Sequence, residues 1–174
     1  MTAVTIVGWV AVGVGMVVAL PQLARLARTS KVDGLSLTSW RSILAMNLAW
    51  LAHGVRLEAP ALIVTNLLGL CSTLPILYLL SRQFTRRLVP LLIPSLVVAA
   101  AMIAVDHVLG SAAYGIAAIT IALVSNVGQS MQLVRAPHVS GVSPLFVSVA
   151  VLNQAVWVTW GLLVHDAGTI MTAS

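Results

Sequence analysis

Apolar residues run along the chain in six stretches, at 4–26, 37–55, 59–80, 88–105, 112–134 and 143–164, each closed by a polar or charged break. A bilayer core is crossed by about 20 mostly apolar residues in helical form, so the pattern predicts six membrane-spanning helices. The breaks differ in charge. Arg25, Arg28 and Lys31 close the first run, Arg82, Arg86 and Arg87 the third, and Arg135 the fifth. Arg56 with Glu58, Asp106 with His107, and His165 with Asp166 follow the second, fourth and sixth. Basic residues favour cytoplasmic loops. The expectation is a multi-pass protein of the cell membrane with its N-terminus outside.

Composition narrows the function classes. Of 174 residues, 60% are hydrophobic and 7% charged, and the mean hydropathy is +1.05, against about 25% charged residues in ordinary soluble domains. This leaves no room for a soluble catalytic domain. A net charge of +5 would suggest nucleic acid in a soluble protein, but here the basic residues lie between apolar runs, so no nucleic-acid partner is expected. No Lys or Arg precedes the first run, which therefore reads as a retained helix and not a secretory signal. Cys71 is the single cysteine, so no intrachain disulfide can form. His53, His107, His138 and His165 fall at span ends or in loops, and neither a metal site nor a proton relay is expected from them. No cofactor is expected. No nucleophile faces a base at a usable spacing, so an enzyme is not expected either. No acidic residue lies inside the six runs, and proton-coupled transporters ordinarily carry an intramembrane carboxylate, so passive passage is the expectation.

The chain also resembles itself. Shifted by about 107 residues, Gln22 lies over Gln129, Arg28 over Arg135, and Gly34-Leu35-Ser36 over Gly141-Val142-Ser143. Further on, Asn47, Trp50 and Gly54 lie over Gln154, Trp157 and Gly161. An amide, a Trp and a Gly at i, i+3 and i+7 share one helical face. Many transporters are built from such repeats. A three-helix unit that begins outside ends inside, so a parallel copy needs one extra span between the two. The fourth run, with Pro90 and Pro94 and no repeat counterpart, fits that place.

A three-helix unit with Pro21-Gln22 late in its first helix, followed by a basic loop ending in Gly34-Leu35-Ser36, resembles the PQ-loop superfamily, which includes the SWEET and SemiSWEET sugar transporters and cystinosin-like amino-acid exporters. The resemblance implies an all-α membrane protein of two parallel triple-helix bundles joined by a linker helix. On this reading 1–80 is the first bundle, 81–110 the inversion linker and 111–174 a second repeat that lacks its seventh helix. It implies that Pro21 and Gln22 form a hinge, and that Trp50, Asn66 and Trp157 line the substrate pocket. The second unit departs from the pattern: Gly128-Gln129 replaces Pro-Gln, and the position matching Asn66 is Ala173.

Read from the residues themselves, Pro21 removes a helical hydrogen bond and frees a carbonyl that Gln22 can satisfy. Trp50 shares a face with Asn47, and Trp157 with Gln154; an amide is disfavoured against lipid, so both rings are expected to point inward. Asn66, Gly69 and Thr73 share a face of the third span, although interhelical bonding accounts for Thr73 equally well. Asn126 and Gln129 share a face of the fifth and are candidates for the pocket or its gate, with Gly128 the corresponding bend. A Trp face with amides and hydroxyls suits a polyhydroxylated solute. The expected function is facilitated, alternating-access passage of a small neutral polar solute, a sugar first and an amino acid second. The alternative is a receptor or assembly subunit on the same fold. The expected partners are the solute and membrane lipid. The unfilled third wall of the second unit calls for a seventh span beyond residue 174 or for a homo-oligomer.

Overall fold

A computed structural model describes residues 2–29, 35–83, 87–135 and 144–173. Among them there are six helices and no strands: α1 (Ala3–Thr29), α2 (Leu37–Arg56), α3 (Pro60–Gln83), α4 (Leu88–Arg135), α5 (Pro144–Val164) and α6 (Ala167–Ala173). Two stretches, Pro60–Arg82 and Leu88–Gly128, are long and apolar enough to cross a membrane by length and composition, with shorter apolar helices at Ala3–Met16 and Val151–Val164.

The helix ends follow from local chemistry. Ser36, last residue of the Gly-Leu-Ser motif, is the N-cap of α2 and accepts from the Ser39 N–H at 3.2 Å, satisfying one of the orphan donors of the first turn. Within α4 the helix breaks at Gly110, where φ is 83°, a conformation glycine adopts without steric cost. The break is a reversal. Arg41 near the start of α2 donates to the Leu91 carbonyl at 2.9 Å, and neighbouring Ser39 donates to the Ser125 carbonyl at 2.7 Å. Near the other end of α2, His53 meets both Asp106 and Tyr114. The two halves of α4, 88–109 and 111–135, therefore run antiparallel along α2. The sequence ends the fourth span at 105 and gives Asp106 and His107 to a loop. Instead the helix continues to the glycine, because the Asp106 charge is paired inside the protein.

Three apolar clusters hold the helices. Leu44, Ile76, Leu77, Leu80 and Leu91 join α2, α3 and α4. Ala11, Leu62, Trp157 and Trp160 join α1, α3 and α5. Ala49, Met102, Tyr114 and Ala118 join α2 to both halves of α4. Large apolar side chains also cover the outside, among them Leu67, Leu68 and Leu74 on α3 and Val97, Val108 and Leu123 on α4.

The 107-residue shift recurs in three dimensions. Gly54 and Gly161 are each pressed against the next helix: an added Cβ would lie 3.1 Å from Leu62 and 3.2 Å from the Ile63 nitrogen in one, 3.2 Å from Thr169 and 3.1 Å from the Ile170 nitrogen in the other. The turns that follow match too. Ala59 N–H donates to the Gly54 carbonyl at 2.9 Å and Asp166 N–H to that of Gly161 at 3.0 Å. Glu58 and His165 share a left-handed backbone, with φ of 50° and 56°. Helix α6 thus stands to α5 as the first two turns of α3 stand to α2.

Candidate functional site

A cavity of about 160 Å³ is lined by Trp50, Leu62, Thr65, Asn66, Asn153, Gln154, Trp157, Thr169, Thr172 and Ala173. Eight of these ten are four pairs separated by 107 residues: Trp50 with Trp157, Leu62 with Thr169, Thr65 with Thr172, and Asn66 with Ala173. The cavity therefore lies between equivalent surfaces of the two halves. Every lining residue is uncharged. The hydroxyl of Thr65 and the Oδ1 of Asn153 have no hydrogen-bond partner in the protein, and buried polar groups of this kind ordinarily have one. Asn66 uses its amide N–H on the Leu62 carbonyl one turn back, at 2.8 Å.

Of the residues read from sequence as pocket-forming, Trp50, Asn66, Gln154 and Trp157 meet here. Asn47 and Thr73 do not. The Asn47 amide donates to the Thr73 hydroxyl at 3.1 Å and lies so close to α3 that a Cβ at Gly69 would stand 2.5 Å from it; the two form a bond between α2 and α3. Asn126 is exposed on α4. Gly128 lets α4 approach the start of α2, where a Cβ would meet the Ser39 hydroxyl at 3.2 Å. Pro21 and Gln22 fall within α1, but their side chains and that of Gln129 lie outside the described residues.

A second feature adjoins the cavity, and sequence reading missed it. His53 is fully buried, and Asp106 and Asp166 retain 3% and 4% exposure, yet the three are in contact. His53 Nδ1 lies 2.8 Å from Asp106 and Nε2 lies 3.1 Å from Asp166. Arg56 grips Asp106 with two bonds, from Nε at 2.8 Å and Nη2 at 2.7 Å. Asp166 accepts from the Thr169 N–H at 2.7 Å, from the Thr169 hydroxyl at 2.6 Å and from Ser111, whose oxygen in turn accepts from the Gly168 N–H at 2.8 Å. A buried charge is costly unless paired and bonded, and here each is both. Burial opposes ionisation of Asp166, but the bonds from His53, Ser111 and Thr169 outweigh it and hold the carboxyl well below the ordinary carboxylate range.

The cluster and the cavity share walls. Trp50 meets His53 edge-on at 5.2 Å and Tyr114 edge-on at 4.9 Å, while Tyr114 stacks on His53 at 4.6 Å. The ring pair Trp157–Trp160, edge-on at 5.7 Å, is the shifted counterpart of Trp50–His53. Two expectations are corrected here. His53 is not an isolated span-end histidine, and Asp106 and Asp166 are not solvated loop residues. The sequence carries only a partial signal, His53 and Arg56 at i and i+3 on one face, which does not name the carboxylates they meet. Chemically the cluster can hold a proton and lock helices. Ser111 donates to the Asp166 carboxylate and accepts from the Gly168 N–H, which ties the start of the second half of α4 to α6. Among the described residues no group of three His, Cys, Asp or Glu could hold a metal ion.

Comparison with known protein families, with characterised proteins and with solved structures finds no match for this chain.

Proposed function

We propose that the chain is a multi-pass membrane transporter that passes a small neutral polar solute, a sugar of monosaccharide size, by alternating access. The observation that carries this reading is the cavity walled by the same positions of both halves, whose lining includes two Trp residues and two residues, Thr65 and Asn153, with an unpartnered polar atom. Transporters built from repeats bind at the repeat interface, and rocking of one half against the other exposes the site to each side in turn. The Trp faces suit the C–H surface of a sugar ring, and the amides and hydroxyls its hydroxyl groups. A cavity of about 160 Å³ is below the roughly 300–1,000 Å³ of sites for drug-sized ligands, so the solute is small. A neutral lining favours a sugar over an amino acid, whose two charged ends would need partners. The 107-residue repeat and the PQ-loop-like motif of the first half support two parallel triple-helix units. The basic breaks of alternate loops set the His53 cluster at the outer face. The apolar exterior of α3 and α4 suits lipid.

The test is entry of labelled D-glucose into liposomes bearing the purified protein. Entry above that of protein-free liposomes, lost in Trp50→Ala, is expected. Equal entry with and without protein refutes the sugar reading.

A further inference from the structure

The His53 cluster lies behind two residues of the cavity lining, Trp50 and Thr169, beside the α2–α3 and α5–α6 turns. Trp50, one turn before His53 on α2, is one wall; Thr169, which gives Asp166 two hydrogen bonds, is another. Trp50 of α2 and Thr169 of α6 stand on opposite walls here, and the His53 Nε2–Asp166 bond ties α2 to the turn that leads into α6, so widening the cavity at this end by moving α6 away from α2 breaks that bond.

Resting on the transport reading above, we propose that His53 is a proton-binding site linked to the cavity: it holds a proton while the cavity is closed at this end and releases it to water when α2 and α6 part. The geometry of the closed cluster favours the proton. Both ring nitrogens face carboxylate oxygens, at 2.8 and 3.1 Å, and only the imidazolium has an N–H for each. With His53 cationic, the buried cluster of His53, Arg56, Asp106 and Asp166 sums to zero charge. With His53 neutral, it carries an uncompensated negative charge and a lone pair set against a carboxylate.

The groups facing His53 come from each packed element. From α2 there is Arg56, whose Nη2 lies 3.3 Å from Nδ1, a contact in which the guanidinium can only donate and which competes with the shorter 2.8 Å approach of Asp106 to the same nitrogen. From α4 there are Asp106 and the stacked Tyr114 ring. From the α5–α6 turn there is Asp166. His107 and His165 are exposed, and no contact joins either to the cluster among the described residues.

When α2 and α6 separate, Asp166 keeps Thr169, whereas the imidazolium loses its second acceptor and one of its two carboxylate neighbours. It is then left beside Arg56 with one carboxylate for two cations, so the proton leaves. Protons therefore favour the closed form, and rising pH through the near-neutral range where histidine titrates favours the open one. Asp166 does not titrate in that range. Linkage makes the effect reciprocal: a solute that wedges Trp50 away from Thr169 expels the proton.

The experiment measures access. In the Cys71→Ser background, a cysteine at Thr172 on the cavity wall is labelled in proteoliposomes by a membrane-impermeant maleimide, at about pH 5.5 and about pH 8. Its rate is divided by that of a cysteine at exposed Glu58, which removes the pH dependence of the thiol itself. The ratio is expected to rise about threefold or more with pH and to flatten in His53→Gln and in Asp166→Asn. A ratio independent of pH without any cluster substitution overturns the proposal, as does one whose pH dependence survives both substitutions. Glucose entry measured on the same vesicles separates the two readings. A pH-dependent ratio without entry refutes sugar transport and leaves the proton site standing; entry with a flat ratio does the reverse.

Discussion

The two halves of the molecule share a backbone frame and differ in what they hang on it. At 54 and 161 both have a glycine pressed against the next helix, at 58 and 165 both take a left-handed turn, and at 50 and 157 both send a Trp to the cavity. Some of the differences fall beside the cavity. His53 stands where the second half has Trp160, and Ala59 where it has Asp166. Leu62 and Asn66 face Thr169 and Ala173. The two glycines and the two left-handed turns are shared because close packing and backbone geometry demand them, whereas His53 and Asp166, which make the buried ion pair, have no counterpart of like chemistry in the other half.

The sharpest way to break the comparison is to impose one half on the other. Asp166→Ala gives the second half the residue of the first. It strips His53 of one carboxylate and leaves the Thr169 N–H and Ser111 hydroxyl without their acceptor in a buried place. Removing one partner of a buried pair costs about 3–5 kcal/mol, so thermal unfolding of the purified protein should show a large loss. Ala59→Asp, the reverse change, buries a carboxylate with no partner described near it and should be damaging too. The Asp166 carboxyl is held below the ordinary range, so its contribution is present above the unfolded pKa and is lost as pH falls through the lower, folded value. Stability should fall in strong acid in the native protein, and less so in Asp166→Asn.

Function should divide along the same line. Trp50→Ala is expected to abolish glucose entry in proteoliposomes while expression and insertion stay near normal. Trp157→Ala should also impair entry, because both rings face the cavity. Only Trp50, which touches His53 and Tyr114, should also alter the pH dependence of entry. Equal entry in Trp50→Phe and Trp50→Ala would show that the ring is not a stacking surface.

Much of the frame was legible in the sequence. Asn47-Trp50-Gly54 over Gln154-Trp157-Gly161 is a face repeated by helical spacing, and that periodicity fixed the shift that the packing obeys. Trp50, Asn66, Gln154 and Trp157 all line the cavity, with Asn66 and Trp157 buried and Gln154 exposed. Asn47 and Thr73 were read alongside them because helical spacing gives a face but not which neighbour fills it; here they bond to each other. The cluster was illegible for a different reason. Asp106 and Asp166 are far apart in sequence and flank apolar runs, where a carboxylate ordinarily meets water. Their burial depends on His53 and Arg56 arriving from another helix, and no local pattern encodes that meeting.

Where the halves agree, matched substitutions should have matched effects. Gly54→Ala and Gly161→Ala each place a methyl 3.1–3.2 Å and 3.0–3.1 Å, respectively, from the nearest atoms of the adjoining helix, including a backbone nitrogen in both. Backbone cannot rotate away as a side chain can, so each should cost about 1–3 kcal/mol by overpacking. If only one of the pair is destabilised in thermal unfolding, the repeat is a likeness of sequence without a likeness of packing.

The smallest effect is the most demanding test of equivalence. Glu58 and His165 take φ of 50° and 56° without being glycine, and the left-handed region costs an ordinary residue about 1–2 kcal/mol. Both are exposed, so replacement leaves the core untouched. Glycine relieves the steric cost but loses more entropy on folding, by roughly 0.5–1 kcal/mol. Glu58→Gly and His165→Gly should therefore each relieve the same backbone cost, because the two turns have one geometry, and stabilise by no more than about 1 kcal/mol from that source. His165 adjoins Asp166, so its turn also aims the carboxylate at His53, whereas the turn at Glu58 aims only Ala59. A glycine that loosens the turn should leave the first half unaffected and weaken the cluster in the second. Equal melting shifts would mean that the turn is shaped by the repeat alone; a smaller gain at 165 would mean that the cluster leans on it.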